Sequence, residues 1–115
     1  MNIDFACKTI SVEELLVCSF NLNKTDLKIL KFFLKYNKSV TVKELSSFLK
    51  LERSGVQKSI IHLVDKNLVE RRQVNNERGG FFYRYSLKDK NELKKDILFL
   101  LENWCSKAKR TVEKL

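Results

Sequence analysis

Arg53, Gln57 and Lys58 stand close together in "LERSGVQKSIIHL", residues 51–63, and their side chains share one chemistry. Arginine and lysine bind guanine edges or phosphates, and glutamine pairs with adenine. Read as a helix, the stretch buries Val56, Ile60, Leu63 and Val64 and leaves Arg53, Ser54, Gly55, Gln57, Lys58 and His62 off that face. Ser54 and Gly55 are small enough for a partner to approach the first turn. There the free amides and the helix dipole favour a phosphate. His62, further along, is placed to meet a backbone or a base edge.

Other chemistries find few residues. His62 is the single histidine, and the three cysteines, Cys7, Cys18 and Cys105, are far apart with no C-x-x-C pair. There is no glycine-rich phosphate loop and no nucleophile elbow. The chain is expected not to be an enzyme, to use no cofactor, to hold no metal and to keep its thiols reduced.

The elements that must position these residues follow from hydrophobic spacing. Ser11 and Glu14 stand at capping-box spacing ahead of Val12, Leu15, Leu16 and Phe20. Asn23 or Thr25 caps a second helix, with Leu27, Ile29, Leu30, Phe33 and Leu34 opposite Lys28, Lys31 and Lys35. Ser39–Val40 reads as a short strand. Thr41 and Glu44 repeat the capping-box spacing before a third helix with Val42, Leu45, Phe48 and Leu49 inward. The opening stretch follows after a brief link, which makes a helix-turn-helix. "NLVERRQV" and "GFFYRYSL" then read as strands around "NNERGG", whose Asn and Gly residues tolerate a left-handed backbone. This is the single hairpin expected, and with the helix-turn-helix it makes a winged helix. Residues 88–115 read as one long helix in which apolar residues recur every three or four positions, the interval of a coiled-coil seam.

The totals fit one small domain with flanking helices. In 115 residues, 43% hydrophobic content supplies a core and 32% charged content a solvated surface. The net charge of +9 points to a polyanionic partner, and it is unevenly placed. Residues 1–23 carry one lysine against three acids, whereas residues 24–49 carry six lysines against two. No run approaches the roughly 18 apolar residues that span a bilayer, and no secretory signal opens the chain. A cytoplasmic, nucleoid-associated protein without membrane contact is expected.

At the level of motifs, "TVKELSSFLKLERSGVQKSIIHLVDKNLVERR" resembles the winged-helix core of the MarR and TrmB families of transcription regulators. "GGFFYRYSL" looks like the short wing of small archaeal TrmB-like or Lrs14-like members. The resemblance covers roughly residues 22–87. Two departures stand out: Gly55 occupies a position where those families often carry a hydroxyl residue, and the wing is short, with paired glycines. The fold implied is mainly α with a small β-hairpin wing. It comprises an N-terminal helix over 1–22, a winged helix-turn-helix over 23–87 and a dimerisation helix over 88–115.

The function implied is sequence-specific regulation of transcription by a homodimer on double-stranded DNA. Helix 53–66 lies in the major groove and wing 74–81 at the minor groove. The expected contacts are Thr41, Arg53, Ser54, Gly55, Gln57, Lys58, His62, Arg72 and Arg78, with Arg71 and Arg84 adding phosphate contacts from the strands. Arg78, at the wing turn, suits the negative potential of a narrow minor groove. Phe81, Phe82, Tyr83 and Tyr85 invite base stacking, but alternate packing against the helices accounts for half of them more simply. The dimer is expected to use Val12, Leu15, Leu16, Leu93, Ile97, Leu100, Leu101 and Trp104. Two alternatives stay open: a chromatin-like protein binding DNA without sequence preference, and a winged helix used for protein contact in the transcription machinery. The sequence identifies no effector.

Overall fold

In the computed structural model, which describes residues 1–115, the expected helices and wing form in the order read from the sequence, preceded by a second hairpin. Strands β1 (Asn2–Phe5) and β2 (Lys8–Ser11) pair antiparallel, with Ile3 opposite Ile10 and Asp4 opposite Thr9. Thr9 Oγ1 donates to Asp4 Oδ1 at 2.9 Å. This corrects the expectation of one hairpin and of a purely helical N-terminal segment. Met1, Ile3 and Phe5 do alternate with Asn2 and Asp4. Yet the strands are only four residues long and their Ala6–Cys7 turn carries no Gly, Asn or Pro signal.

The helices start where side chains satisfy their free amides. In α1 (Val12–Phe20), Ser11 Oγ accepts from Glu14 N, but Glu14 turns to Lys8 at 3.7 Å and does not complete the box. Asn23 caps α2 (Lys24–Tyr36), with Asp26 reaching back to the Asn23 amide. Thr41 and Glu44 close the expected box at the start of α3 (Val42–Leu49). Lys50 ends that helix in the left-handed region at φ 55°. The Ser46 hydroxyl donates to Leu51 O and the Leu51 amide to Ser46 O, which fixes the short turn into α4 (Arg53–Asp65).

The core forms where α2, α3 and α4 meet. Ile29, Leu30, Phe33, Leu45, Val56, Ile60 and Leu63 have no solvent exposure. Phe48 is the exception to the inward face read for α3. It is half exposed and lies edge-on to Phe32 and Tyr36 at 5.1 and 5.3 Å between centroids.

Strands β3 (Val69–Asn75) and β4 (Phe81–Leu87) form the wing, paired from Val69↔Leu87 to Asn75↔Phe81. In place of the expected short strand at Ser39–Val40, Val40 alone bridges to β4, exchanging backbone hydrogen bonds with Tyr85 at 2.9 and 2.7 Å. Tyr85 and Leu87 are buried, Tyr83 is half buried, and Phe81 at the tip is exposed. The aromatic row on the strand is thus core at its base and free at its end.

The last helix, α5 (Lys90–Glu113), starts against α1 and then leaves the body of the molecule, which measures 65 × 23 × 22 Å. Leu16 and Leu93, read as partner contacts, are buried in the chain's own core because the first turn of α5 packs on α1. Val12, Leu15, Ile97 and Leu101 are half buried, while Leu100 and Trp104 are exposed. No helix is long and apolar enough to cross a membrane.

Candidate nucleic-acid interface

Helix α4 organises the site. Val56, Ser59, Ile60 and Leu63 point inward, so helical spacing turns Ser54, Lys58 and Ile61 outward, and all three are exposed. Arg53 and Gln57 flank this row on the wing side. They line a cleft of about 350 Å³ with Thr41, Lys43, Phe82 and Tyr83. Gly55 and His62 flank it on the α2 side. Nothing lies within 4 Å of the Cβ position at Gly55, so its lack of a side chain leaves open space at the first turn. Glu52 precedes the helix without a capping hydrogen bond from its side chain. The first-turn amides therefore have no side-chain partner inside the chain.

His62 is anchored in a way the sequence did not suggest. Its Nδ1 lies 2.6 Å from Asp26 Oδ2 on α2, and the Asp26 side chain is fully buried. This hydrogen bond engages Nδ1 and leaves Nε2 at the half-exposed edge of the ring. Asp26 Oδ2 also accepts from the Asn23 amide at 3.1 Å, while Oδ1 is buried with no hydrogen-bond partner. His62 thus ties the outward helix to the helix behind it.

In the wing, Asn76 donates to Gly80 O at 3.0 Å, and Gly79 and Gly80 take φ values of 95° and 78°. Those angles suit glycine and account for the paired residues. Arg72 on β3 and Arg78 in the turn are exposed and make no ion pair. Arg71 lies over the Tyr83 ring at 4.5 Å.

Arg84, expected to contact phosphate, is committed elsewhere. It donates to Ser39 Oγ at 3.1 Å, Ser39 O at 2.7 Å and Glu44 Oε1 at 3.2 Å, and so clamps β4 to the start of α3. At Glu44, partial burial works to raise the carboxyl pKa. The hydrogen bonds from Thr41 and the adjacent Arg84 guanidinium outweigh it and hold the group below the usual glutamate value of 4.5. A depressed carboxyl stabilises the fold above its ordinary value and loses that contribution as acid protonates it. The melting temperature is therefore expected to fall more steeply for the native chain than for Glu44→Gln between about pH 5 and pH 3. The effect is modest, because Glu44 is half exposed. Parallel curves in a calorimetric pH series would show that the clamp contributes nothing.

Thr41, Arg53, Gln57 and the wing strand thus converge on one cleft, with Ser54 and Lys58 beside it. His62 faces α2, and Arg72 and Arg78 stand further out along the wing. Two residues escaped the sequence reading. Ile61 sits in the outward row at 47% exposure, where it offers an apolar surface of the kind that meets a thymine methyl. Its spacing from Val56, Ile60 and Leu63 already excludes it from the buried stripe. Lys43 lines the cleft, and only the packing of α3 beside β4 reveals it.

The model of the DnaD N-terminal domain family matches residues 15–108. Uncharacterized protein MJ1503 of Methanocaldococcus jannaschii is 33% identical over 109 residues, 95% of this chain and 82% of that protein. The solved structure of a possible transcriptional regulator from Methanosarcina mazei Go1 superposes with a TM-score of 0.89 at 34% identity, covering 99% of this chain and 96% of that one. A MarR-family regulator from Enterococcus faecalis shares the fold at 18% identity and a TM-score of 0.55, with 88% of each chain covered. The winged helix that the resemblance implied is therefore present, and the family model that matches is that of the DnaD N-terminal domain.

Proposed function

The chain belongs to the DnaD N-terminal domain family, and from that premise we propose that it is a transcription regulator that binds double-stranded DNA as a homodimer and reads sequence. The carrying observation is the exposed row Arg53, Ser54, Gln57 and Lys58 on a helix whose other side is locked into the core. The similar Methanosarcina mazei protein, described as a possible transcriptional regulator, supports a binding rather than a catalytic role. In this reading α4 enters the major groove, about 12 Å wide, in the manner of the MarR and TrmB regulators it resembles. Lys58 and Gln57 meet base edges, Arg53 and Thr41 meet the flanking phosphates, and Arg78 reaches for the minor groove. Arg72 supports the wing from its strand. His62 Nε2 and the backbone at Gly55 face the opposite strand. Such a regulator works on the nucleoid in the cytoplasm.

Selection of bound duplexes from a random pool at about 0.15 M salt tests the proposal. Enrichment of a two-fold-symmetric motif is the expected result. Bound DNA without a shared motif would make the protein a chromatin-like binder, and no recovery would make α4 a protein-contact surface. On the selected site, Lys58→Ala and Arg53→Ala are each expected to weaken binding by about 1–3 kcal/mol with unchanged thermal melting. Full affinity in both variants would move the reading helix elsewhere.

A further inference from the structure

On the side of α2 that faces away from α4 runs a row of lysines with no role in the proposed DNA site. Lys24, Lys28, Lys31 and Lys35 recur at alternating intervals of four and three residues, Lys38 follows just past the helix end, and all five are exposed. The opposite face of α2 carries Asp26, Ile29, Leu30 and Phe33, which are buried toward α4. The lysines therefore look away from Arg53 and Lys58, so one straight duplex in the major-groove pose does not reach both. Of the five, only Lys31 has an acidic partner, Glu13 at 3.0 Å.

Beside the row lies an apolar groove of about 620 Å³ between the N-terminal hairpin, α2 and α3. Phe32 forms its floor. Phe48, 52% exposed, meets it edge-on, and Tyr36, 42% exposed, lies tilted against it and edge-on to Phe48. Lys35 and Lys38 reach over the Tyr36 ring at 5.3 and 5.9 Å.

From this juxtaposition we propose that the α2–α3 groove docks an acidic amphipathic helix of another protein, its apolar anchors on Phe48 and Tyr36 and its carboxylates on Lys28 and Lys35. Glu13, itself on the groove edge, already shows a carboxylate meeting this lysine row. A phosphate backbone has no use for the exposed rings of Tyr36 and Phe48, whereas a helix laid in a groove anchors through apolar side chains at i, i+3 or i+4, and i+7. From Lys24 to Lys35 the row extends for about 16 Å, roughly three helical turns and more than one small anion spans. A second copy of the chain fits poorly, because the free half of α5 carries Lys107, Lys109, Arg110 and Lys114 against Glu102 and Glu113. Like charges would meet there.

The test is selection from a displayed library of random peptides of about 15 residues on the full chain, long enough for four helical turns. The selected peptide is then titrated by fluorescence anisotropy. Acidic peptides with helical apolar spacing are expected. Lys28→Glu combined with Lys35→Glu should weaken binding at least about tenfold, and Phe48→Ala independently by about as much. Duplex affinity should stay within about twofold in all of these variants, whose folding is checked by thermal melting. Selected peptides without acidic residues, or peptides indifferent to both the lysine and the Phe48 changes, would overturn the proposal. Loss of duplex binding in the lysine variant would also overturn it, by making the row a second DNA contact. Because duplex binding is followed in parallel, failure of the groove is distinguishable from failure of the DNA reading.

Discussion

Asp26→Ala is expected to lower the unfolding free energy by about 2–4 kcal/mol, far more than its short side chain suggests. The substitution removes two things together: the carboxylate that accepts from the Asn23 amide and so completes the capping box of α2, and the partner of His62. Asp26 is fully excluded from solvent, so water cannot replace what is lost. His62→Ala should cost a comparable amount from the other side, because it leaves a buried carboxylate that already has one unpartnered oxygen. The two losses should not add: a double-mutant cycle is expected to give a coupling of at least about 1 kcal/mol. Urea unfolding of the three variants measures this. A loss below about 0.5 kcal/mol in Asp26→Ala, the range of ordinary surface changes, would show that the pair does not hold α4 to α2. The pair joins α2 to the helix of the proposed DNA site, so the proposed DNA affinity is expected to fall in Asp26→Ala even at temperatures where the variant is folded.

That pair also marks where sequence reasoning stopped. Periodicity placed α2, α3, α4, the wing and α5, because each carries a long apolar stripe or a strong turn signal. The buried face of α4 was legible in Val56, Ile60 and Leu63, and with it the outward position of Ser54 and Lys58. The partner of His62 was not, because it lies 36 residues upstream on another helix. Asp26 reads locally as nothing more than a first-turn acid. Arg84 misled for the same reason: a strand arginine in a basic chain resembles a phosphate ligand until Ser39 and Glu44 are brought beside it. Phe48 looked like core because its spacing from Leu45 and Leu49 is helical. Yet α2 fills the inner side of α3 first and leaves that ring on the rim. The N-terminal hairpin escaped because four-residue strands joined by Ala6–Cys7 give no period long enough to detect.

Trp104→Glu is expected to convert the proposed dimer to monomers at micromolar concentration. Beyond Ile97, α5 has no buried residue, yet it exposes Leu98, Trp104 and Val112 at 58%, 69% and 63%. Ile97, Leu101, Trp104, Ala108, Thr111 and Leu115 follow each other at intervals of four and three residues, the pattern of a helix seam. A solitary helix of this kind gains nothing from leaving the body of the molecule, because most helical stability in proteins comes from packing an apolar face. A second α5 laid along the seam takes Trp104 and its seam neighbours out of water and also accounts for the elongated shape. In a two-fold interface each substitution is present twice, so a buried tryptophan worth about 2 kcal/mol becomes about 4 kcal/mol per dimer, close to a thousandfold in dissociation constant. Ile97→Glu and Leu100→Glu should act in the same direction, with Ile97→Glu also straining the contact of α5 with the core. Sedimentation velocity reads the outcome directly. In the proposed complex the monomer is expected to lose the cooperative grip on two half-sites about 34 Å apart and to retain a single α4 contact. If all three variants still sediment as dimers, the seam is not the interface, and α5 must meet another surface.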